Sequence, residues 1–202
     1  MTRGEIKERN RRALLQAARQ AVARDGHRAR LEEITEQAGL TTGAVYSLFG
    51  SKNGLLAALV EDLSGHHYAA VEQAVPVGLD LVEAVDAFAR FCVRTCADPE
   101  ALAQLSFETG LQDMALRDPG LRAVLATSIR SHEECLAEVF TGRAFPGGSV
   151  TQPQARRLAT VLRALLAGLG QRAVLGLDEE HSEQHFAAAA RAMATPAVLG
   201  PA

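Results

Sequence analysis

The chain has no tryptophan, and aromatic residues are only 4% of its 202 residues, so its cores are expected to be built from Leu, Ala and Val. It lacks a long apolar run. The richest, Val161 to Gly170, contains Arg163 and is shorter than the roughly 20 residues a membrane-spanning helix needs. A secretory core is missing too: MTRGEIKERNRR is basic, and the ALLQAARQAVARD that follows is an amphipathic stretch interrupted by Gln and Arg. Cytoplasmic residence without a membrane partner is the expectation. Signatures of catalysis are also absent, with no nucleophile elbow, no phosphate-binding Gly loop and no HExxH, and carboxylates such as Glu108 and Asp113 have no evident partner. An enzyme is therefore not expected, and neither is a cofactor or a bound metal. No internal repeat or low-complexity tract is visible, and the three cysteines are not in CxxC spacing.

What is present is helix after helix, with no convincing strand. Ile6 to Arg24 carries an apolar stripe at positions 6, 14, 17, 18, 21 and 22, ended by Asp25-Gly26. A helix from Lys52 runs through Leu55, Leu59 and Leu63 toward Val75 and stops before Pro76. Leu81 to Cys96 is amphipathic, with positions 81, 85, 88, 92 and 96 on one side. Asp98-Pro99 and Asp118-Pro119 open two more helices, to about Leu116 and Phe140. Thr141 to Pro153 holds three Gly and two Pro and reads as a loop, followed by helices over Gln154 to Leu175 and Glu179 to Ala194 and a short Pro/Gly tail.

Charge is unevenly spread. The formal net charge is -3, yet residues 1–60 carry +4 and the remainder -7. A basic N-terminal unit on an acidic body would turn the former toward phosphate.

Leu31 to Leu59 is the stretch that implies a specific activity. Leu31 to Ala38 has an apolar face at Leu31, Ile34 and Ala38 and acidic Glu32 and Glu33 in its first turn, which complement the helix dipole. Gly39 follows where a helix commonly exits through a left-handed conformation, Leu40 is an apolar plug, and Thr41 is placed to N-cap a second helix from Thr42 to Leu48. This is a helix-turn-helix pattern. Thr42, Gly43, Ala44 and Ser47 are small enough to let the second helix lie on a groove floor. Hydroxyls of Thr41, Thr42 and Ser47 can reach base edges there, and the Ala44 methyl can meet a thymine methyl. Tyr46 offers a hydroxyl to phosphate, and Ser51 caps a further helix whose first residue, Lys52, suits a second one.

Residues 12–60 resemble the DNA-binding domain of the tetracycline-repressor (TetR) family of bacterial transcriptional regulators. The resemblance rests on Leu14, Leu15, Ala17, Ala18 and Gly26, on Ile34, on AGLTTGAVYSLFGSK from Ala38 to Lys52, and on Leu55 and Leu56. It implies that Thr41, Thr42, Gly43, Ala44, Tyr46, Ser47 and Lys52 sit on DNA, Tyr46 and Lys52 on phosphates. The chain departs from the family pattern at Val22, where Phe is frequent, and at Leu48, where His is usual. Arg30 stands at a helix start that normally has Thr or Ser, and Asn53 replaces a common acidic residue.

The resulting expectation is an all-α protein. Residues 1–50 form a three-helix DNA-binding domain, 51–75 a connecting helix that a push could rotate, and 76–202 a helical ligand-binding and dimerisation domain. The helix from Gln154 is apolar on more sides than the roughly 100° stripe of a surface helix. Leu158, Leu162, Leu165 and Leu169, with Phe186 and Met193 from the last helix, are expected to form a four-helix seam in a homodimer. The partners are then a palindromic double-stranded operator and a small-molecule effector whose binding releases a repressor. Effector-site candidates are Phe88, Cys92, Phe107, Glu108, Ser128 and His132. The alternative is a thiol- or metal-responsive regulator using Cys92, Cys96, His132 and Cys135, if the two helix faces that carry them meet.

Overall fold

The first helix, α1 (Arg3–Asp25), starts where Thr2 and Glu5 cap each other's backbone N–H groups at 3.2 and 2.7 Å. The computed structural model describes residues 2–146, 148–177 and 183–200, with side chains omitted for 63–68. After α1 and a single 3-10 turn come α2 (Leu31–Gln37), α3 (Thr42–Phe49), α4 (Lys52–Ala74), α5 (Leu81–Cys96), α6 (Ala101–Arg117) and α7 (Pro119–Phe140). The order ends with β1 (Ala144–Phe145), β2 (Gly148–Ser149), α8 (Gln152–Val174), α9 (Glu183–Arg191) and α10 (Pro196–Leu199). The fold is all-α apart from that two-strand hairpin.

Packing divides the chain into two compact units, residues up to 65 with 103–128, and 66–102 with 129 onward. In the first, Leu14, Ala18 and Val22 of α1 meet Ile34 of α2, Val45 of α3 and Leu55 and Leu56 of α4. Phe107, Leu111 and Met114 of α6, with Leu121 of α7, complete this core. Each fully buried Leu or Phe contributes about 1.5–3 kcal/mol. α6 approaches α1 closely at Gly110, where an added Cβ would lie 2.6 Å from the Val22 carbonyl oxygen. Polar contacts secure the approach. Arg19 donates to Gln104 at 2.8 Å, the Ser106 hydroxyl donates to the Ala23 carbonyl, and His27 pairs with Asp113. The bond from His27, with help from Arg117, holds the Asp113 carboxyl below its usual range.

In the second unit α5 packs on α8 and α9. Asp80 and Glu83 form the capping box that starts α5. Its buried face is Leu81, Ala84, Val85, Phe88, Ala89 and Val93, set against Leu158, Leu162 and Phe186. Asp86 bonds Arg90 and Arg191, and Arg90 reaches Glu183, which ties α5 to α9. Partial burial opposes the charge on Asp86, but the two guanidiniums outweigh it and keep the carboxyl below its usual range. Arg156 to Glu134 and Arg163 to Glu133 join α8 to α7.

Three details differ from the sequence expectations. The Thr141–Pro153 loop contains the antiparallel β1–β2 pair, with Ala144 opposite Ser149 and Phe145 opposite Gly148. α8 begins at Gln152 because Thr151 donates its N–H to Gln154 at 3.0 Å and so opens the helix two residues early. The tail includes α10, capped by Thr195, and it buries Leu199. The expected helix from Glu179 begins in part outside the described residues, which resume at Glu183.

Candidate DNA interface and ligand cavity

α2 ends in a complete left-handed exit. Gly39 sits at φ 66, its N–H donating to Glu36 at 3.0 Å and the Leu40 N–H to Thr35 at 2.8 Å. A residue with a Cβ at that φ costs roughly 1–2 kcal/mol. Leu40 then packs on the first core, which fixes the angle at which α3 departs. Thr41 holds the extended N-cap position, and its carbonyl accepts the Ala44 N–H at 2.9 Å. Its hydroxyl makes no capping bond, unlike the sequence expectation.

α3 is anchored on one side and bare on the other. Val45 is fully buried, and Ala44, Leu48 and Phe49 pack partly against the core. Gly43 and Ser47 are exposed and Tyr46 is 59% exposed, while Thr42 is half-buried. The outward face is therefore two small residues beside one projecting phenol. Gly50 closes α3, and the Ser51 hydroxyl accepts the Gly54 N–H at 2.9 Å to open α4. Gly54 was not singled out from sequence: a Cβ there would lie 2.0 Å from the Phe49 carbonyl oxygen. This close approach sets α4 against the end of α3.

Lys52 donates its ammonium to the buried Ala29 carbonyl, which holds the side chain in place and leaves two N–H donors. Arg28 and Arg30 flank Ala29; both are exposed, and neither pairs with a carboxylate among the described residues. These two cations were also missed, although Arg30 stood out as an unusual N-cap and indeed makes no capping bond. Asn53, the other departure nearby, donates to Asp118 at 2.8 Å. The Asp118 carboxylate also accepts from the Leu121 and Gly120 N–H groups at the start of α7. Leu121 does most to hold that carboxyl below its usual range.

The second unit contains a cavity of about 580 Å³, within the size range of small-molecule sites. Val71 and Val75 from the end of α4, Phe88 of α5, and Leu136 and Val139 of α7 give it apolar walls. Phe88 and Phe140 meet edge to face at 6.2 Å behind that wall. His132, Cys135, Arg143 and Arg163 add polar groups, with Glu72 and Glu138 exposed.

The family model described as bacterial regulatory proteins, tetR family, matches residues 14–59, which span α1 to the first half of α4. Residues 14–59 thus carry the tetR-family domain. The fold of the chain is similar to a TetR-family transcriptional regulator from Rhodococcus sp., with TM-score 0.72 and 21% identity over 93% of this chain and 100% of that one. It is similar also to Salmonella enterica GusR, at 0.72 and 18% over 94% and 95%. The Streptomyces coelicolor A3(2) regulator SCO7518 matches at 0.69 and 23%, over 92% and 98%. No curated protein matches by sequence. The chain therefore combines a tetR-family domain at residues 14–59 with the overall fold of those solved regulators. Among the described residues, no helix is long and apolar enough to cross a membrane.

Of the effector-site candidates, the structure brings Phe88 and His132 together at the cavity. Phe107 lies elsewhere, inside the first core, because α6 turns its apolar face to α1. Glu108 is exposed on α6 and accepts from Gln104 at 2.7 Å, and Ser128 falls in the first unit. Cys92 packs against the second core and does not line the cavity. Burial, with a smaller effect from Cys96, pushes its thiol up to about 12, which keeps it a protonated small hydrophobe. Cys96 donates to the Cys92 carbonyl at 3.2 Å, whereas His132 and Cys135 face the cavity. The described residues include no group of three or more His, Cys, Asp or Glu able to hold a metal.

The expected dimer residues divide in the same way. Leu158, Leu162 and Phe186 are enclosed by this chain's own core and have no surface to offer a partner. Leu165, Leu169 and Met193 remain partly exposed.

Proposed function

We propose that this regulator is a cytoplasmic homodimeric repressor that reads a two-fold symmetric operator and leaves it when a small molecule fills the cavity. The observation that carries the reading is the bare face of α3, with small residues around a projecting Tyr46 and anchored Lys52 at the next helix start. Thr41, Thr42, Gly43, Ala44 and Ser47 meet base edges in the major groove, and Tyr46 and Lys52 hold phosphates. Exposed Arg28 and Arg30, on either side of Ala29 in the chain, add further phosphate contacts. Functionally, residues 1–50 read DNA, 51–75 connect, and 76–202 sense and dimerise.

Solvent-facing Ala164, Ala167 and Gly168 of α8 and Ala188 and Ala192 at α9, with Leu165, Leu169 and Met193, support a close-packed helical seam between two copies. A symmetric dimer spaces two recognition helices about 34–36 Å apart, which matches half-sites one helical turn apart. Because α4 runs unbroken from Lys52 to Val71 at the cavity, a ligand there has a direct lever on the start of that helix.

Lys52→Ala tests the docking. It should weaken binding to all sequences and reduce the salt slope by about one unit, since one phosphate contact is lost. Replacing Thr42 should instead change sequence preference. An unchanged affinity and salt slope for Lys52→Ala sinks the placement of α3 and α4 on DNA.

A further inference from the structure

Among the described residues, Arg143 is one of two polar or charged residues in the buried set, at 8% exposure, and it lines the cavity. Its Nε donates to the Val139 carbonyl at 2.5 Å, and its Nη1 donates to Pro76 and Leu79 carbonyls at 3.0 and 2.8 Å. A guanidinium has five N–H donors. Three are used on neutral acceptors, and Nη2 donates to none of the described residues. No described carboxylate pairs with it either, and burial alone lowers its pKa. A buried cation without an anion is unfavourable, and an incoming carboxylate would relieve it with a charge-assisted bond.

The other charges around the cavity leave that role to Arg143. Arg163 is already paired with Glu133 at 3.0 Å. Glu72 and Glu138 are exposed, so water solvates them at little cost and they act at the rim. The apolar walls of Val71, Val75, Phe88 and Leu136 suit a hydrocarbon body.

We propose, resting on the reading of this cavity as the effector site, that the effector is an amphipathic organic acid whose anionic head binds Arg143 and whose apolar body fills the cavity. The same guanidinium ties the end of α7 to the α4–α5 turn through Pro76 and Leu79. An anion drawn to Nη2 therefore pulls on the residues that follow α4, which gives the ligand charge a direct part in the response.

The test uses three ten-carbon probes of like shape, decanoate, decanamide and decylamine, titrated into the full chain by calorimetry at pH 7.5. Decanoate should bind at least tenfold more tightly than either of the others. Arg143→Gln should remove that preference, and Arg143→Lys should retain part of it; melting curves report whether each variant folds. The wild-type comparison stands even if neither variant does. Equal binding of all three, or preference for decylamine, overturns the organic-acid proposal and leaves the cavity as a ligand site. Failure of all three, decanamide included, overturns the proposal together with the cavity reading.

Discussion

Replacing Gly54 with Ala should damage the DNA-reading unit more than any other single methyl added to it. The new Cβ would stand 2.0 Å from the Phe49 carbonyl oxygen and 3.1 Å from its carbon. Ordinary contact is about 3.5 Å, so the backbone must move by roughly 1.5 Å. Only Gly50 and Ser51 separate the two helices, and Val45 pins α3 in the core, so little slack is available. Overpacking of this kind costs about 1–3 kcal/mol and occasionally more, while Ala returns about 1 kcal/mol of helix propensity. Since the clash is with backbone, the upper end applies and the net loss is about 2 kcal/mol. For a chain of this size that lowers Tm by roughly 4–8 °C. Circular-dichroism melts measure the shift, and fluorescence anisotropy on a bound DNA fragment should show a parallel loss of affinity. A variant that melts and binds like the wild type would refute the argued approach of α4 to α3.

Gly43→Ala should behave oppositely, because the nearest atom to its Cβ is the Thr41 hydroxyl at 3.6 Å. It should raise Tm slightly, with up to about 1 kcal/mol gained, yet weaken DNA binding tenfold or more; unchanged affinity would show that Gly43 does not face the groove. Gly168→Ala meets nothing within 4 Å in the single chain. If α8 forms the dimer seam, sedimentation should show weaker self-association, whereas an unaltered dimer with a higher Tm would place the seam elsewhere. Asp86→Asn should lower the urea midpoint at pH 7. The folded carboxyl titrates below its unfolded range, so the wild-type advantage is full above about pH 4 and disappears as pH falls through and below that value. A gap that does not narrow as the pH falls below that value would mean the α5–α9 ion pairs are not its source.

The helix-turn-helix was legible because its determinants are local. Gly39, Leu40, Thr41 and Ser51 announce turn, plug and caps within a few residues, and each occupies the place its chemistry suggested even though Thr41 leaves its hydroxyl free of a capping bond. Long-range pairing was not legible. Phe107, Leu111 and Met114 read as one apolar helix face, but the pattern does not say that α1 is what covers it. The glycines at 54 and 110 look ordinary until the Phe49 and Val22 carbonyls are brought beside them. An all-round apolar α8 signals burial without saying whether its own chain or a copy buries each side, so Leu158, Leu162 and Phe186 were grouped with residues that remain partly exposed. Arg143 sits in a Gly/Pro segment that periodicity passes over, and its importance emerges only from burial and from the three carbonyls around it.

Selection of bound fragments from random double-stranded DNA by the purified full chain, at near-physiological salt, tests the central claim most directly. The account predicts enrichment of a two-fold symmetric site whose half-sites lie one helical turn apart and change when Thr42 is replaced. Weak, salt-labile retention with no enriched sequence, persisting after refolding removes any bound small molecule, would contradict it.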